Sequence, residues 1–238
     1  HPFTSCYLIG RPGSEKLGPR GARGKMRDYA LRLSEDRVEA GASLALGRLN
    51  RVLYVQAGEI VVRAGAGRSA VAAGAAWHDA GECVVEAGLA GAVLLRYELL
   101  GQRHPQAGKV LLEHAIALDP SEQYLMRCDR VEFQPGGIAW PHRHRGGGIR
   151  CLIAGELEVR VGDAPVRVMK PGDAWFESGV EPVYAAASPT LPTSFIRVSV
   201  LPRSIRGQSS IIYVDPADAG RGKPRAYAVY VDEPIEIG

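Results

Sequence analysis

Three blocks of sequence occur twice in this chain, in the same order and with only small shifts of spacing. The block VQAGEIVVR, which begins at Val55, matches LIAGELEVR, which begins at Leu152. GAAWHDAGE, from Gly74, then matches GDAWFESGV, from Gly172, and LLRYELL matches FIRVSVL. Because self-similarity over a long interval marks repeated structural units, the chain is predicted to contain two copies of one domain.

Each copy consists of short runs rich in Val, Ile and Leu that end at glycine or at polar turn residues. This pattern is typical of all-β proteins, and long amphipathic helices are not evident. The fold class is therefore predicted to be all-β. The alignment of the blocks also pairs side chains that carry chemistry: Trp77 with Trp175, Asp79 with Glu177, and Arg96 with Arg197.

The repeat and the turn signals between the runs divide the chain into five predicted segments. Between the two β-domains lies a linker that mixes prolines with one short helical possibility. The C-terminal extension contains two strand candidates that cover a sheet edge, in this subunit or in a neighbour. The predicted segments are an N-terminal arm (1–28), a first domain (29–100), a linker (101–123), a second domain (124–204) and a C-terminal strand extension (205–238).

Composition excludes several classes of protein. The formal net charge is only +3 and most basic residues are scattered, so a nucleic-acid-binding role is not expected. The four cysteines are far apart and form no CXXC pair, which argues against a zinc knuckle and a dense disulfide framework. No apolar run is long enough to cross a bilayer, and the first residues lack a signal-peptide core. A reduced, cytoplasmic location without membrane contact is therefore expected.

Two histidines stand two positions apart at the end of a predicted strand, His142 and His144. In an extended strand such residues project from the same face, which is the geometry of a pair of metal ligands. The glycines at 146–148 favour a strand and a turn over a helix. The alternative is a solvated basic turn, because an arginine follows each histidine.

The stretch from Gly136 to Gly155 resembles the first sequence motif of the cupin superfamily. Five residues separate Gly136 from His142, and six separate Gly148 from Gly155, as in that motif. Gly148 stands in the place of the motif's glutamate. The resemblance implies a small double-sheet jelly roll. Together with the repeat, it implies a bicupin, which contains two tandem jelly-roll barrels.

The resemblance also implies that only the second copy carries a site. In the first copy the positions opposite the two histidines are Ala45 and Gly47, or Gly47 and Leu49 in another register. Neither pair supplies a ligand, so the first barrel is predicted to be a partner without metal. In the second copy, Pro182 stands where the family's next histidine is expected and Ala186 replaces an asparagine.

Glu177 is the predicted third metal ligand, beside His142 and His144. Two histidines and one carboxylate form a ligand set that suits a divalent transition metal, here Fe, Mn, Ni or Zn. Glu181, beside the turn, is the second choice. The alternative for Glu177 is an exposed carboxylate at a strand end.

Two arginines and a tryptophan are the candidates for binding the substrate. Arg150 lies two positions after Gly148, on the same strand face, and Arg197 has apolar neighbours on both sides. A guanidinium facing the barrel would bind a carboxylate or a phosphate in bidentate fashion. Trp175 shares a strand face with Glu177. The structural alternative is that Arg197 pairs with an acidic side chain.

Two functions remain open from the sequence. The first is a metal-dependent enzyme of oxygenase (for example dioxygenase), isomerase or lyase type, acting on a small acidic or hydroxylated molecule. The second is a non-catalytic binding or regulatory protein with a degenerate metal site. The fold alone does not choose between them. The expected partner is a small-molecule ligand or substrate, and a homodimer with a second copy of the chain is left open.

Overall fold

The computed structural model of the protein describes residues 27–101, 108–221 and 225–237, and strands dominate all three ranges. The strands of the first half are β1 (Arg27–Val38), β2 (Ser43–Leu46), β3 (Asn50–Ala64), β4 (Gly67–Ala72), β5 (Ala76–Asp79), β6 (Cys83–Leu100) and β7 (Lys109–Leu118). Those of the second half are β8 (Tyr124–Phe133), β9 (Ile138–His144), β10 (Gly148–Ala154), β11 (Leu157–Val161), β12 (Arg167–Met169), β13 (Ala174–Glu177), β14 (Val183–Ala187), β15 (Thr193–Pro202), β16 (Ile211–Tyr213) and β17 (Arg225–Ile235). Two 3₁₀ turns, Arg203–Ile205 and Pro216–Gly220, complete the described elements. The predicted all-β class is confirmed.

The two halves have the same strand order. In the second half, two five-stranded antiparallel sheets, β13-β10-β15-β8-β17 and β12-β11-β14-β9-β16, form the two layers of a jelly roll. In the first half, β3 and β6 are 15 and 18 residues long, and each takes the place of two strands. One end of this pair binds β5 and β1, and the other end binds β4 and β2.

The register of the sheets agrees with the alignment of the sequence blocks. Arg150 on β10 lies opposite Arg197 on β15 and opposite Trp175 on β13. The same three positions of the first copy, on β3, β6 and β5, are occupied by Leu53, Arg96 and Trp77. The match of cross-strand partners shows that the repeat in the sequence is a repeat in three dimensions.

The linker differs from its prediction, whereas the extension agrees with its prediction. The short helical possibility in the linker is wrong, because residues 109–118 form β7, which pairs with β1 and buries Ile116 and Leu118. Both strand candidates of the extension cover sheet edges of the same chain: β16 pairs with β9 and β17 pairs with β8. Residues 1–26 of the predicted arm lie outside the described residues.

The largest hydrophobic core lies between the two copies. One face of the sheet containing β1, β3, β6 and β7 packs on the sheet containing β8, β10, β15 and β17, so both copies contribute buried residues to one cluster. Separate apolar clusters fill the interior of the first copy and of the second copy. Since strand side chains alternate, the residues of β10 and β15 that do not enter the shared core face the interior of the second barrel.

Candidate functional site

The two histidines lie inside the second barrel. His142 and His144 on β9 are both 6% exposed, whereas Arg143 between them is exposed. The strand alternation predicted from the sequence is therefore confirmed, and the alternative of a solvated turn is wrong for the histidines. Their rings lie edge to face, with centroids 4.9 Å apart.

Each histidine has its Nδ1 atom held by the protein. His142 Nδ1 lies 2.7 Å from the carbonyl oxygen of Trp140, and His144 Nδ1 lies 3.1 Å from Ser210 Oγ. A carbonyl only accepts, so Nδ1 of His142 carries the proton and Nε2 of the neutral ring is an acceptor. Burial lowers the pKa of His142, and it lowers the pKa of His144 to about 3. Both rings are therefore neutral at pH 7.

Glu177 ends β13 and is 5% exposed, so it is not a surface carboxylate. Trp175 Nε1 donates a hydrogen bond of 2.8 Å to Glu177 Oε1. The other oxygen, Oε2, lies 2.7 Å from Arg150 Nη2 and 3.3 Å from His144 Nε2. Burial on its own would raise the pKa of Glu177, but Arg150, His144 and Trp175 together hold it well below its usual range. The carboxylate therefore remains ionised.

The contact between Arg150 and Glu177 is an ion pair without an aligned hydrogen bond. The two atoms are close enough for strong attraction, yet both Arg150 Nη2 and Glu177 Oε2 are buried and lack a partner with hydrogen-bond geometry. Arg150 Nη1 does donate, to the carbonyl oxygen of Gly148 at 2.6 Å. Burial lowers the pKa of Arg150 to about 10, which leaves it charged at neutral pH. This ion pair thus leaves one donor, Arg150 Nη2, and one acceptor, Glu177 Oε2, available to a ligand.

Arg197 forms an ion pair with a carboxylate, which is the alternative to substrate binding that the sequence left open for it. Its Nε and Nη2 atoms donate to Asp129 Oδ1 and Oδ2, at 2.9 and 2.6 Å. Burial on its own would lower the pKa of Arg197, but Asp129 outweighs it and raises the pKa. Its guanidinium also lies 5.8 Å from the ring centre of Tyr227. Substrate binding by Arg150, Arg197 and Trp175 stays a prediction.

A small cavity lies among these side chains. Its volume is about 30 Å³, and its polar lining consists of His142, His144, Arg150, Trp175, Glu177, Arg197, Arg225 and Tyr227. A larger groove of about 370 Å³ shares three of its lining residues with the cavity: Arg197, Ile211 and Tyr227. The inner space has room for about two waters or for one carboxyl or hydroxyl group. The groove is large enough for the rest of a small organic molecule.

Sequence reasoning missed Arg225 and Tyr227, both of which lie on β17. Because β17 pairs with β8 at the sheet edge, it brings these two side chains to the cavity from about 80 residues beyond His142. Arg225 stands directly before the strand candidate that begins at Ala226, and its spacing of two from Tyr227 places both on one strand face, which is the only signal that the sequence offered. Glu181, the second choice for a ligand, is exposed and bonded to Ser178.

A divalent metal ion does not fit this arrangement of side chains. Within the described ranges, no three His, Cys, Asp or Glu side chains converge as a metal site would require. The guanidinium of Arg150 also lies beside the one carboxylate oxygen that a metal would share with His144. Two unit charges 4 Å apart repel by about 4 kcal/mol at an effective dielectric constant of 20, and a divalent ion doubles this. The prediction of His142, His144 and Glu177 as ligands remains untested.

Comparison with known proteins agrees with the fold. The family model described as Cupin domain matches residues 129–196. Two oxalate decarboxylases have similar structures: that of Bacillus subtilis (12% identity, TM-score 0.59, 84% of this chain and 79% of the other) and that of Lactobacillus farciminis in a formate complex (15% identity, TM-score 0.60, 82% of both chains). AerE from Microcystis aeruginosa is 11% identical, with a TM-score of 0.56, over 79% of this chain and 95% of the other. No curated protein sequence matches the chain.

At these identities the structural likeness concerns the fold alone. The helical turns within the described residues are short, and none of them has the length or the apolarity to span a membrane.

Proposed function

The chain belongs to the cupin superfamily, and on that premise we propose that its C-terminal barrel binds a small organic molecule through protein side chains alone, without a metal ion. The proposal is the second of the two functions left open by the sequence, a binding or regulatory protein. The observation that carries it is the ion pair between Arg150 and Glu177, whose atoms lie 2.7 Å apart inside the barrel. This pair places a positive charge beside Glu177, the buried carboxylate that contacts His144.

The charges of the barrel interior are largely balanced by the protein. Arg150 pairs with Glu177 and Arg197 pairs with Asp129, and all four side chains are less than a tenth exposed. A divalent ion that entered this interior would find both carboxylates, Asp129 and Glu177, already paired with arginines, so its own charge would not be compensated. A neutral or singly negative organic molecule avoids this penalty. Such a molecule also meets hydrogen-bonding atoms that the protein leaves without partners.

A metal-dependent enzyme of oxygenase, isomerase or lyase type is the second candidate. A specific observation favours it: the Nδ1 atoms of His142 and His144 are held by Trp140 and Ser210. Histidines that bind metals are usually oriented in this way by a partner on the other ring nitrogen. Under this candidate, Glu177→Gln should lower metal affinity by about 10-fold or more.

Metal content separates the two candidates. The protein would be purified without chelator, incubated with Mn²⁺, Fe²⁺, Ni²⁺ or Zn²⁺, dialysed and measured by inductively coupled plasma mass spectrometry. We expect far less than one metal per chain, with no difference between the wild type and the His142→Ala/His144→Ala variant. The matched control replaces His78 and His114, which lie outside the cavity. One metal per chain, lost only in the His142/His144 variant, would establish the metal-dependent candidate instead.

A second variant tests the observation that carries the proposal. Arg150→Gln removes the guanidinium and frees Glu177 Oε2, so it should increase metal uptake over that of the wild type. If Arg150 instead supported a native metal site by orienting Glu177, the same change would decrease metal uptake. Circular dichroism of the variant provides the check that the barrel is folded.

A further inference from the structure

Arg225 is a cation of the cavity that has no carboxylate partner within 4 Å in the described part of the chain. The other two arginines of the cavity, Arg150 and Arg197, each have one. The neighbours that bond to Arg225 are two phenols: its Nε atom donates to Tyr227 Oη, and its Nη2 atom donates to Tyr213 Oη at 3.4 Å. A guanidinium has five N–H donors, of which two are used here, so three remain. The cavity therefore carries one uncompensated positive charge.

The phenols beside Arg225 add donors for a negative group. Tyr227 Oη accepts a hydrogen bond from Arg225, so the phenol's own proton is left for another acceptor. Two guanidinium groups, those of Arg197 and Arg225, each lie 5.8 Å from the centre of the Tyr227 ring. A guanidinium and a phenol donor at one end of a cavity are suited to a carboxylate.

The inner end of the cavity has a different chemistry. It offers one donor, Arg150 Nη2, and two acceptors: Glu177 Oε2, and Nε2 of His142, whose Nδ1 donates to the carbonyl oxygen of Trp140. Arg150 is 1% exposed and Glu177 is 5% exposed, so the two atoms without hydrogen-bond partners are deeply buried. A hydroxyl group both donates and accepts, and it fits a space of about 30 Å³. A second carboxylate does not fit, because it would face Glu177 and an acceptor nitrogen.

We infer that the ligand of the C-terminal barrel is a small hydroxycarboxylic acid, whose carboxylate is bound by Arg225 and Tyr227 and whose hydroxyl lies between Arg150, Glu177 and His142. The inference rests on the proposed function and names its ligand class. The remainder of the ligand lies in the adjoining groove, where Ile211 and Val229 offer apolar contact.

Isothermal titration calorimetry in the presence of EDTA tests the ligand class with matched probes. The first pair is 2-hydroxy-3-phenylpropanoate and 3-phenylpropanoate, which differ only in the hydroxyl. The second pair is lactate and propane-1,2-diol, in which the carboxylate is replaced. We expect each hydroxy acid to bind at least about 10-fold more tightly than its partner. The deoxy acid leaves buried atoms of Arg150 and Glu177 unpaired, and the diol leaves Arg225 without a negative group.

Two arginine variants test the assignment of the carboxylate. Arg225→Met should weaken binding of the hydroxy acids by about 10-fold or more, since a charge-assisted contact is lost. Arg221→Met is the control: its guanidinium lies over Trp140, 4.2 Å from the ring centre, and pairs with Asp218 outside the cavity. That variant should bind the hydroxy acids as the wild type does.

Three results would overturn the ligand class: equal binding of hydroxy and deoxy acids, unchanged binding in Arg225→Met, or no binding of either hydroxy acid at millimolar concentration. If metal content is low in that last case, the metal-free proposal stands and only the ligand class fails. If the hydroxy acids bind only when metal replaces EDTA, the metal-free proposal fails and the ligand class stands.

Discussion

The two copies place different residues at equivalent positions, and the difference leaves two buried polar atoms without aligned partners beside the cavity of the second copy. In the first copy Arg51 is fully buried and each of its nitrogens is bonded: Nε to Glu98, Nη1 to Gly81 and Nη2 to Gly47. In the second copy the equivalent position is Gly148. The buried arginine there is Arg150, two residues further along the strand.

The two arginines differ in how completely the protein satisfies them. The position equivalent to Arg150 in the first copy is Leu53, which belongs to the apolar cluster of that barrel. Arg150 has one bonded nitrogen and one, Nη2, without an aligned partner beside a cavity. A closed network stabilises the first copy. An incomplete network in the second copy leaves atoms for a ligand, as is common at functional sites.

Arg150→Leu would give the second copy the residue of the first, and it should have the largest effect on stability. It leaves the buried Glu177 carboxylate with Trp175 as its aligned partner. Removal of one member of a buried ion pair costs roughly 3–5 kcal/mol of unfolding free energy. The additional change Glu177→Gln should recover most of that loss, because no unpaired charge remains. Urea denaturation followed by circular dichroism measures both.

The control for this cycle is Arg143→Leu on β9, which removes an exposed arginine and should change stability by about 0.5 kcal/mol or less. Equal losses in the Arg150→Leu variant and in the double variant would mean that the pair contributes packing and not charge compensation.

Each copy also contains a bidentate pair of an arginine and an aspartate, Arg96 with Asp36 in the first copy and Arg197 with Asp129 in the second. Asp129→Asn leaves Arg197 without a carboxylate within 4 Å among the described residues, whereas Asp36→Asn leaves Arg96 in contact with Glu98. We therefore expect a loss of about 3 kcal/mol for Asp129→Asn and about half of that for Asp36→Asn. Thermal and urea denaturation of the two variants provides the measurement. A larger loss for Asp36→Asn would show that Glu98 does not compensate Arg96.

The aligned tryptophans should differ by a smaller amount. Trp175 is 3% exposed and its Nε1 atom donates to Glu177, whereas Trp77 is only partly buried. Trp175→Phe should lower the unfolding free energy by about 2 kcal/mol, because a hydrogen bond to a buried carboxylate is lost. Trp77→Phe should lower it by about 1 kcal/mol or less. Equal losses would indicate that packing alone determines both.

Much of the fold could be predicted from the sequence because the repeat and the strand periodicity are local signals. The alignment of Trp77 with Trp175 reproduces the register of the sheets, and the spacing of His142 and His144 places both inside the barrel. The strand β7 was missed because a short apolar run has no periodicity of its own to distinguish strand from helix. Its identity depends on pairing with β1.

The partners within the site could not be predicted, because they depend on contacts between distant strands. Asp129 is 68 residues from Arg197, and Arg225 reaches the cavity only because β17 folds back along β8. The sequence left open whether Glu177 faces inward or lies exposed at a strand end, and it did not show which group would contact it. Arg150 lies on the neighbouring strand, so the cation that contacts Glu177 is a guanidinium.

The smallest expected effect concerns the described cysteines, and it tests whether the two copies unfold together. Cys83 lies in the first copy, and Cys128 and Cys151 lie in the core that both copies share. Burial raises the pKa of all three thiols, that of Cys151 to about 12, so reactive thiolate is scarce at pH 8.

In a Cys6→Ser background, N-ethylmaleimide should modify none of these three cysteines in the native protein. Because one core joins both copies, all three should become reactive over the same range of urea when labelling is followed by mass spectrometry. Modification of Cys83 at lower urea than Cys128 and Cys151 would mean that the first copy unfolds alone. The shared core would then not couple the unfolding of the first copy to that of the second copy, which contains the cavity.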